Sequence, residues 1–273
     1  MPSSDQAEHS AWIVERSPSG DTPLLATAIH QGHALRAELQ PLVALSGDER
    51  LREEDPYTDR WAKVAATRVV VERSRFEVDL NRPPESCVYL QPADAWGLQV
   101  WQSPLPAEVV ERSRALHARF YTEMRELLDE LIARHGRIVV FDLHSYNHRR
   151  GGPTAPPADP EANPIINLGT GSMDLGCWEP IVSAFERAMA GCRLDGRPID
   201  VRRNVKFQGG WWSRWLHQTY PGRVCALAIE AKKVFMDEWT GRLDPERHTA
   251  IGQALETSAA AVLESLAELP GAD

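Results

Sequence analysis

The sequence contains few cysteines and no excess of positive charge, and both features narrow the kind of protein it encodes. Its 273 residues include four widely spaced cysteines without a Cys-x-x-Cys pair. No cysteine cluster therefore offers a metal site, and we expect reduced, mostly buried thiols. The formal net charge of −9 argues against non-specific binding to nucleic acid or to acidic membranes.

Long apolar runs and nucleotide-binding glycine motifs are also missing. No apolar stretch approaches the roughly 20 residues that a membrane-spanning helix needs. Residues 1–19 are polar and lack the basic start and apolar core of a signal peptide. No strand-associated Gly-x-Gly-x-x-Gly and no Walker loop occurs, so a flavin or nucleotide protein lacks support. We expect a cytoplasmic protein with a small-molecule ligand.

Three short apolar runs predict buried strands. Residues 24–29, 138–143 and 224–229 are rich in Val, Ile, Leu or Ala, and each follows a polar or turn-like stretch. Such runs are typical of strands covered on both faces, as in a mostly parallel or mixed sheet. Residues 69–71 are a fourth candidate.

Helical patterns lie between and after these runs. We predict helices over residues 105–134, with Gly136 as the stop, over residues 174–190, and over residues 245–269, ended by Pro270. Strands that alternate with helices predict an α/β sandwich. The proline-rich residues 151–164 and the glycine-containing residues 204–212 are predicted to be loops that form pocket walls or lids.

Chemically active side chains follow the three predicted strands. His30 follows the first, His144 the second, and Glu230 the third. Open α/β sheets bind their ligands beyond the carboxyl ends of the strands. If the three strands are parallel neighbours, two imidazoles and a carboxylate converge there. These groups are most of a catalytic zinc site together with its general base.

The third protein ligand of such a site stays open among three residues. Asp55 and Glu54 belong to an acidic run, and Pro56 favours an extended backbone at Asp55. His33 is the other candidate. Asp142, two residues before His144, would either orient a ligand histidine or cap a helix.

Each of these residues also has a purely structural interpretation. A single histidine at a strand end is usually a hydrogen-bonded structural residue, and an acidic run is usually solvated. Glu230 could simply pair with Lys232 or Lys233. The functional interpretation depends on three such residues each following an apolar strand.

Residues 74–83 carry a second signal. This segment holds Arg75, Asn81 and Arg82 within an apolar alternation. Arginine binds carboxylates through two parallel hydrogen bonds, so the segment is a candidate clamp for a substrate carboxylate. Salt bridges between Asp79 and the arginines are an equally good explanation.

Six short motifs of this sequence occur in an order known from one family. They are His30 with Gly32, Glu-Asp-Pro-Tyr-Thr-Asp at 54–59, Ser-Arg-Phe-Glu-Val-Asp-Leu-Asn-Arg at 74–82, Asp-Leu-His-Ser-Tyr at 142–146, Phe-Gln-Gly-Gly at 207–210 and Ile-Glu at 229–230. Over about residues 24–241 the chain resembles the N-formylglutamate amidohydrolase family. That family is related to the zinc carboxypeptidases and to aspartoacylase.

The resemblance implies a fold and a cofactor. It implies a three-layer α/β/α fold of the zinc-exopeptidase type with a central mixed, mostly parallel sheet and one zinc ion per chain. The fold would form a single domain over residues 1–273, with residues 1–20 as a peripheral extension. His30, Asp55 and His144 match metal ligands.

The resemblance also implies roles for the remaining site residues. Glu230 resembles the catalytic glutamate, and Arg75 resembles the arginine that polarises the scissile carbonyl. Asn81 and Arg82 resemble the pair that binds the substrate carboxylate. Apart from the resemblance, we expect a basic residue of the loop after His144, Arg149 or its neighbour Arg150, to hold a side-chain carboxylate.

Two departures from the related enzymes affect this interpretation. The carboxypeptidase motif His-x-x-Glu is replaced by His30-Gln31-Gly32-His33, which keeps Asp55, Glu54 and His33 open as ligands. Residues 145–150 and the proline-rich loop after them indicate a divergent branch. The expected activity is hydrolysis of an N-acyl, in particular N-formyl, acidic amino acid. The alternatives are a carboxypeptidase-like enzyme or longer-acyl deacylase, and a zinc-dependent binder without catalysis.

Overall fold

Two long buried strands form the centre of the fold. In the computed structural model, which describes residues 11–17 and 21–270, β4 (Ile138–Tyr146) runs parallel to β9 (Val224–Lys232) over nine paired residues. β2 (Leu24–Ala28) pairs in parallel with the other edge of β4. The three strands predicted from the apolar runs are therefore parallel neighbours, as expected.

Further strands widen the sheet to seven strands in the order β1-β3-β2-β4-β9-β5-β8. They are β1 (Trp12–Arg16), β3 (Thr67–Val71), β5 (Ile166–Gly169) and β8 (Val201–Arg203). β1 pairs antiparallel with β3, and β5 pairs antiparallel with β9, whereas the other pairings of the sheet are parallel. The sheet is mixed and mostly parallel, as predicted. A separate hairpin joins β6 (Arg193–Leu194) to β7 (Arg197–Pro198).

The predicted peripheral extension is described only in part. Residues 1–10 and 18–20 lie outside the described residues. The part that is described includes β1, the edge strand of the sheet.

Helices cover both faces of the sheet. They are α1 (Gly47–Glu53), α2 (Thr58–Trp61), α3 (Ala107–His135), α4 (Leu175–Gly191), α5 (Trp211–Thr219) and α6 (Pro245–Glu268). One core joins α4 and α6 to the odd-numbered side chains of β4, and the other joins α3 and α5 to its even-numbered side chains. The protein therefore has the predicted three-layer α/β/α fold. The helices predicted over 105–134, 174–190 and 245–269 correspond to α3, α4 and α6.

Short polar signals set the helix ends. Asp174 and Asp244 accept hydrogen bonds from backbone N–H groups in the first turns of α4 and α6. Gly136 ends α3 with a φ of 74°, a conformation that favours glycine. All four cysteines are free. Among the described residues, no helix is both long and apolar enough to cross a membrane.

A partly buried histidine of α5 completes the hydrogen bonding of β9. The Ala226 N–H lies beyond the stretch that β5 covers, and it donates to His217 Nε2 at 3.0 Å. The other ring nitrogen of His217 must therefore carry the proton, and it donates to Ser172 Oγ at 2.8 Å. Burial lowers the pKa of His217 to about 4, so the neutral ring is the form that stabilises the fold.

Replacing His217 with alanine should lower the free energy of unfolding at pH 7 by about 1–3 kcal/mol, because a buried N–H loses its acceptor. The difference in unfolding free energy between the wild type and the alanine variant should shrink as the pH falls from 6.5 towards 4, by at most about 3 kcal/mol. Over that range the unfolded histidine binds a proton that the folded one does not. Urea titrations of both proteins at several pH values measure this difference. A difference that stays constant with pH would contradict the conclusion that the folded protein holds His217 in its neutral form.

Candidate metal centre and active site

Two imidazoles and a carboxylate meet at the carboxyl ends of β2 and β4. Asp55 Oδ2 lies 3.0 Å from His144 Nδ1 and 3.6 Å from His30 Nδ1. All three residues are buried, and each offers a ligand atom within 4.8 Å of the others. This His-Asp-His group can hold a metal ion, and two imidazoles with one carboxylate are a ligand set that zinc prefers.

The outer ring nitrogens of both histidines face a second pair of carboxylates. His30 Nε2 lies 2.7 Å from Asp79 Oδ1, and His144 Nε2 lies 3.0 Å from Asp142 Oδ1. A carboxylate on the far nitrogen fixes the ring orientation and leaves the Nδ1 lone pair free for a metal. Asp142 therefore orients a histidine and does not cap a helix. It in turn accepts hydrogen bonds from Thr27 and Ser213.

The backbone brings Asp55 beside His30. The Asp55 N–H donates to the His30 carbonyl at 2.8 Å, and Ser145 Oγ donates to Asp55 Oδ1 at 2.9 Å. Gly32 permits the turn after His30, because a Cβ there would lie 2.3 Å from the Glu72 carbonyl carbon. The shape of this turn thus depends on the absence of a side chain at Gly32.

The two alternative ligands pair with each other. His33 Nδ1 lies 2.6 Å from Glu54 Oε2, and Arg50 Nη1 lies 3.7 Å from the other oxygen of Glu54. Glu54 also accepts a hydrogen bond from Ser74. Neither His33 nor Glu54 belongs to the ligand group found among the described residues.

The electrostatics of the group favour a cation. Although burial opposes it, the carboxylates of Asp142 and Asp55 raise the pKa of His144 well above its usual value. Burial likewise acts to raise the pKa of Asp55, yet hydrogen bonds from His144 and His30 hold it below its ordinary range. A site that stabilises positive charge this strongly fits a bound metal cation.

Glu230 lies beside this group on the neighbouring strand. It is paired in register with His144, so both side chains project from the same face of the sheet. Its carboxylate forms no salt bridge or hydrogen bond within residues 11–17 and 21–270. Burial raises the pKa of Glu230 to about 7, and the nearby charge of Asp55 adds to this effect. Such a carboxyl can exchange protons near neutral pH.

The lysines that follow Glu230 turn away from it. Lys232 Nζ donates to the Asn163 carbonyl, and Lys233 Nζ donates to the carbonyls of Arg52 and Glu54. The alternative of a simple Glu230–lysine pair is therefore not what the structure shows.

A cavity of about 350 Å³ opens over these residues. Arg75 contributes its guanidinium to the wall, held by Asp79 at 2.9 Å and by the Tyr89 hydroxyl at 3.1 Å. Asn81 lines the same cavity, with Nδ2 3.4 Å from His144 Nε2. Arg75, Asn81 and Glu230 therefore share one space with the ligand group.

The glycine pair before α5 lets Asn81 reach this position. The Trp212 N–H at the start of α5 donates to Asn81 Oδ1 at 3.0 Å. A Cβ at Gly210 would lie 2.2 Å from that same oxygen. The predicted loop 204–212 is therefore shorter than expected, because the helix already begins at Trp211. Residues 206–210 line the cavity, which agrees with their predicted role as a wall.

Two of the predicted substrate residues lie outside this cavity. Arg82 donates to the Asp94 carbonyl at 2.8 Å and stacks over the Tyr89 ring. Arg149 donates to the Ala155 carbonyl and borders a different surface cavity. Arg150 lines the main cavity and forms a salt bridge with Glu53 at 3.1 Å. The structure thus places the neighbour of Arg149, and not Arg149 itself, at the site.

Sequence patterns did not reveal several residues of the site. Asp79 was expected only to pair with arginines, yet it also holds His30. Asn147 is buried and donates to Glu53, while its Oδ1 has no partner among the described residues. A buried amide oxygen without a partner is rare, so it is available to an N–H group bound in the cavity. Lys206 and Lys233 also line the cavity.

Lys233 ties the strand of Glu230 to the loop that carries Asp55. Its Nζ donates to the carbonyls of Arg52 and Glu54 at 2.6 and 2.7 Å. Replacing it with methionine should lower the free energy of unfolding by about 2–3 kcal/mol, because charge-assisted bonds to buried carbonyls are lost. It should also weaken metal binding, since Asp55 would be held less firmly. Urea unfolding and metal competition with a chelating dye measure the two effects.

Lys232→Met is the matched comparison, because Lys232 binds the Asn163 carbonyl, remote from the ligand loop. Equal metal affinity in the two variants would show that Lys233 does not position Asp55.

The fold and the site together define a three-layer α/β protein with a candidate metal centre and an adjacent carboxyl in one cavity. The model of the N-formylglutamate amidohydrolase family matches residues 22–236. The chain belongs to this family, and its enzymatic class is that of the amidohydrolases.

Two solved structures, with TM-scores of 0.74 and 0.66, show the same fold. An N-formylglutamate amidohydrolase from Ralstonia eutropha JMP134 superposes with a TM-score of 0.74 at 17% identity, over 94% of this chain and 98% of that one. A gene product from Agrobacterium tumefaciens gives a TM-score of 0.66 at 20% identity, over 96% and 98%. A metallo-carboxypeptidase from Burkholderia cenocepacia gives 0.38 at 14% identity, over 93% and 61%. No curated protein matches the chain.

Proposed function

We propose that the chain is a zinc-dependent amidohydrolase that removes the formyl group from an N-formyl acidic amino acid. The observation that carries this proposal is the unpaired Glu230 carboxyl beside the His30–Asp55–His144 group in one cavity. A binding protein has no need of a free base next to its metal ligands.

His30, Asp55 and His144 would hold the zinc ion through Nδ1, a carboxylate oxygen and Nδ1. When bound, zinc supplies a Lewis acid and lowers the pKa of a coordinated water towards about 7. Asp79 and Asp142 keep both imidazoles oriented for this task.

Glu230 would take a proton from the attacking water and deliver it to the leaving nitrogen. The water oxygen bonds to the formyl carbon, the carbon–nitrogen bond breaks, and the products are formate and the free amino acid. A carboxyl with a pKa of about 7 suits both proton transfers.

Arg75 would stabilise the negative charge that develops on the formyl oxygen. Its contacts with Asp79 and Tyr89 hold the guanidinium at the cavity wall, so little reorganisation is needed as that charge appears. Asn81, beside His144, would bind the α-carboxylate. The buried Asn147 Oδ1 is available to the substrate N–H.

Assays of the zinc-loaded protein with three substrates test the proposal. N-formyl-L-glutamate should release formate and glutamate in equal amounts, faster than N-acetyl-L-glutamate or a dipeptide ending in glutamate releases its products. Preference for the acetyl compound or the dipeptide would indicate a deacylase or a carboxypeptidase-like enzyme. Stoichiometric binding without any product would show a binding protein.

A further inference from the structure

The loop that closes one side of the cavity is fastened to the sheet by a buried asparagine. Asn167 of β5 lies opposite Glu230 in the β5–β9 pairing. Its Oδ1 accepts the N–H groups of Lys206 and Phe207 at 2.8 and 3.3 Å, and its Nδ2 donates to the Phe207 carbonyl at 2.9 Å. The backbone at Lys206 is therefore held in a fixed position relative to Glu230.

The ammonium group of Lys206 is held at this wall by neutral groups. Lys206 Nζ donates to Asn163 Oδ1 at 2.8 Å and lies 5.3 Å from the Tyr146 ring and 5.8 Å from the Phe207 ring. No carboxylate among the described residues forms a salt bridge with it. These contacts direct the side chain but do not pair its charge in a salt bridge.

The other cations of the cavity are already satisfied. Arg75 is paired with Asp79, Arg150 with Glu53, and Lys233 with two backbone carbonyls. Lys206 differs from them because its ammonium group makes a single hydrogen bond within the described residues, which leaves its other N–H groups available to a ligand.

The charges around Lys206 act in opposite directions. Partial burial and the charge of Arg150 lower the pKa of Lys206, whereas the charge of Glu230 raises it. Since Arg150 is paired with Glu53, Lys206 is the cation at this wall that can attract an anion.

We propose that Lys206 binds the side-chain carboxylate of the substrate and so restricts the enzyme to acidic amino acids. This inference rests on the proposed function, since it names the substrate class of that same site. Asn81 lies against His144 at the reacting end of the cavity, where the α-carboxylate must be. Lys206 lies on the wall formed by the loop before α5. It is therefore positioned for the side-chain carboxylate, which is the carboxylate farther from the scissile amide.

The test compares N-formyl-L-glutamate with its neutral isostere N-formyl-L-glutamine. Lys206→Met should raise the KM for N-formylglutamate about tenfold or more, which is the loss expected for one charge-assisted hydrogen bond. The KM for N-formylglutamine should change by less than about threefold, and kcat should stay nearly constant for both. Lys206→Arg should retain most of the preference for the acidic substrate.

Lys63→Met is the matched control, because it removes the same charge from an exposed residue outside the cavity. It should leave both KM values unchanged. Equal losses for the two substrates in Lys206→Met would show that Lys206 only shapes the loop. No loss for either would also overturn the proposal.

Binding measurements separate this inference from the proposed function. Calorimetry with N-formylglutamate on the Glu230→Gln background should show about tenfold weaker binding when Lys206→Met is added. If the wild type cleaves neither formyl compound but this difference persists, the hydrolytic function is wrong and the subsite stands. If the wild type cleaves both compounds equally and the binding difference is absent, the subsite is wrong and the hydrolytic function stands.

Discussion

Glutamine at position 230 is expected to lower kcat for deformylation by about 10²- to 10⁴-fold while zinc remains bound. The amide can neither accept the proton of the water nor return it to the leaving nitrogen, and a general base contributes a factor of this size. The substitution keeps the shape of the side chain, so the ladder of β9 with β4 should be preserved. Steady-state kinetics and metal analysis of the same preparation measure both quantities.

Glu77→Gln is the control for this experiment. Glu77 is also buried, but it pairs with Arg36 outside the cavity. Its variant should keep turnover within a few-fold of the wild type. Near-wild-type turnover in Glu230→Gln would show that another group moves the proton.

Alanine at position 144 is expected to abolish stoichiometric zinc binding, and activity with it. The variant removes one of three ligand groups and takes away the imidazole that pairs with the buried carboxylates of Asp55 and Asp142. Metal content per chain should fall well below one equivalent.

A second readout is the stabilisation of the fold by added zinc. A ligand that binds only the folded state, at about 100 times its Kd, contributes about 2.7 kcal/mol. Zinc should therefore raise the thermal midpoint of the wild type and leave that of His144→Ala unchanged.

His33→Ala is the matched control, since His33 pairs with Glu54 outside the ligand group. It should bind zinc as the wild type does. Loss of zinc in His33→Ala together with its retention in His144→Ala would reverse the assignment of ligands.

The sequence allowed the central sheet to be predicted because its strands are covered on both faces. Unbroken apolar runs identified β2, β4 and β9, and their parallel order followed from the helices between them. The ends of two strands were misplaced. The runs stop at Leu143 and Ile229, but the ladder continues through three more pairs, so His144 and Glu230 lie within their strands. The apolar runs end where the cavity begins, but the backbone pairing of β4 with β9 continues past that point.

Other features depend on contacts between distant segments and leave no local pattern. β5 is four residues long, and α5 begins directly after a glycine pair with three aromatic residues in its nine. Asp79 holds His30 across 49 positions of sequence. The directions of the arginine side chains could not be predicted from the sequence either. Arg82 turns to a carbonyl, and Arg150 rather than Arg149 enters the cavity wall.

The hold of Asn167 on residues 206 and 207 has a practical consequence for engineering. Asn167 forms hydrogen bonds only with main-chain atoms of residues 206 and 207. The side chains at these positions can therefore be exchanged without loss of those hydrogen bonds. A mutant library limited to positions 206 and 207, with proline omitted at both, would diversify the recognised amino acid while the reacting groups stay untouched. The same scaffold could in this way be redirected towards uncharged or aromatic formyl compounds by changing two codons.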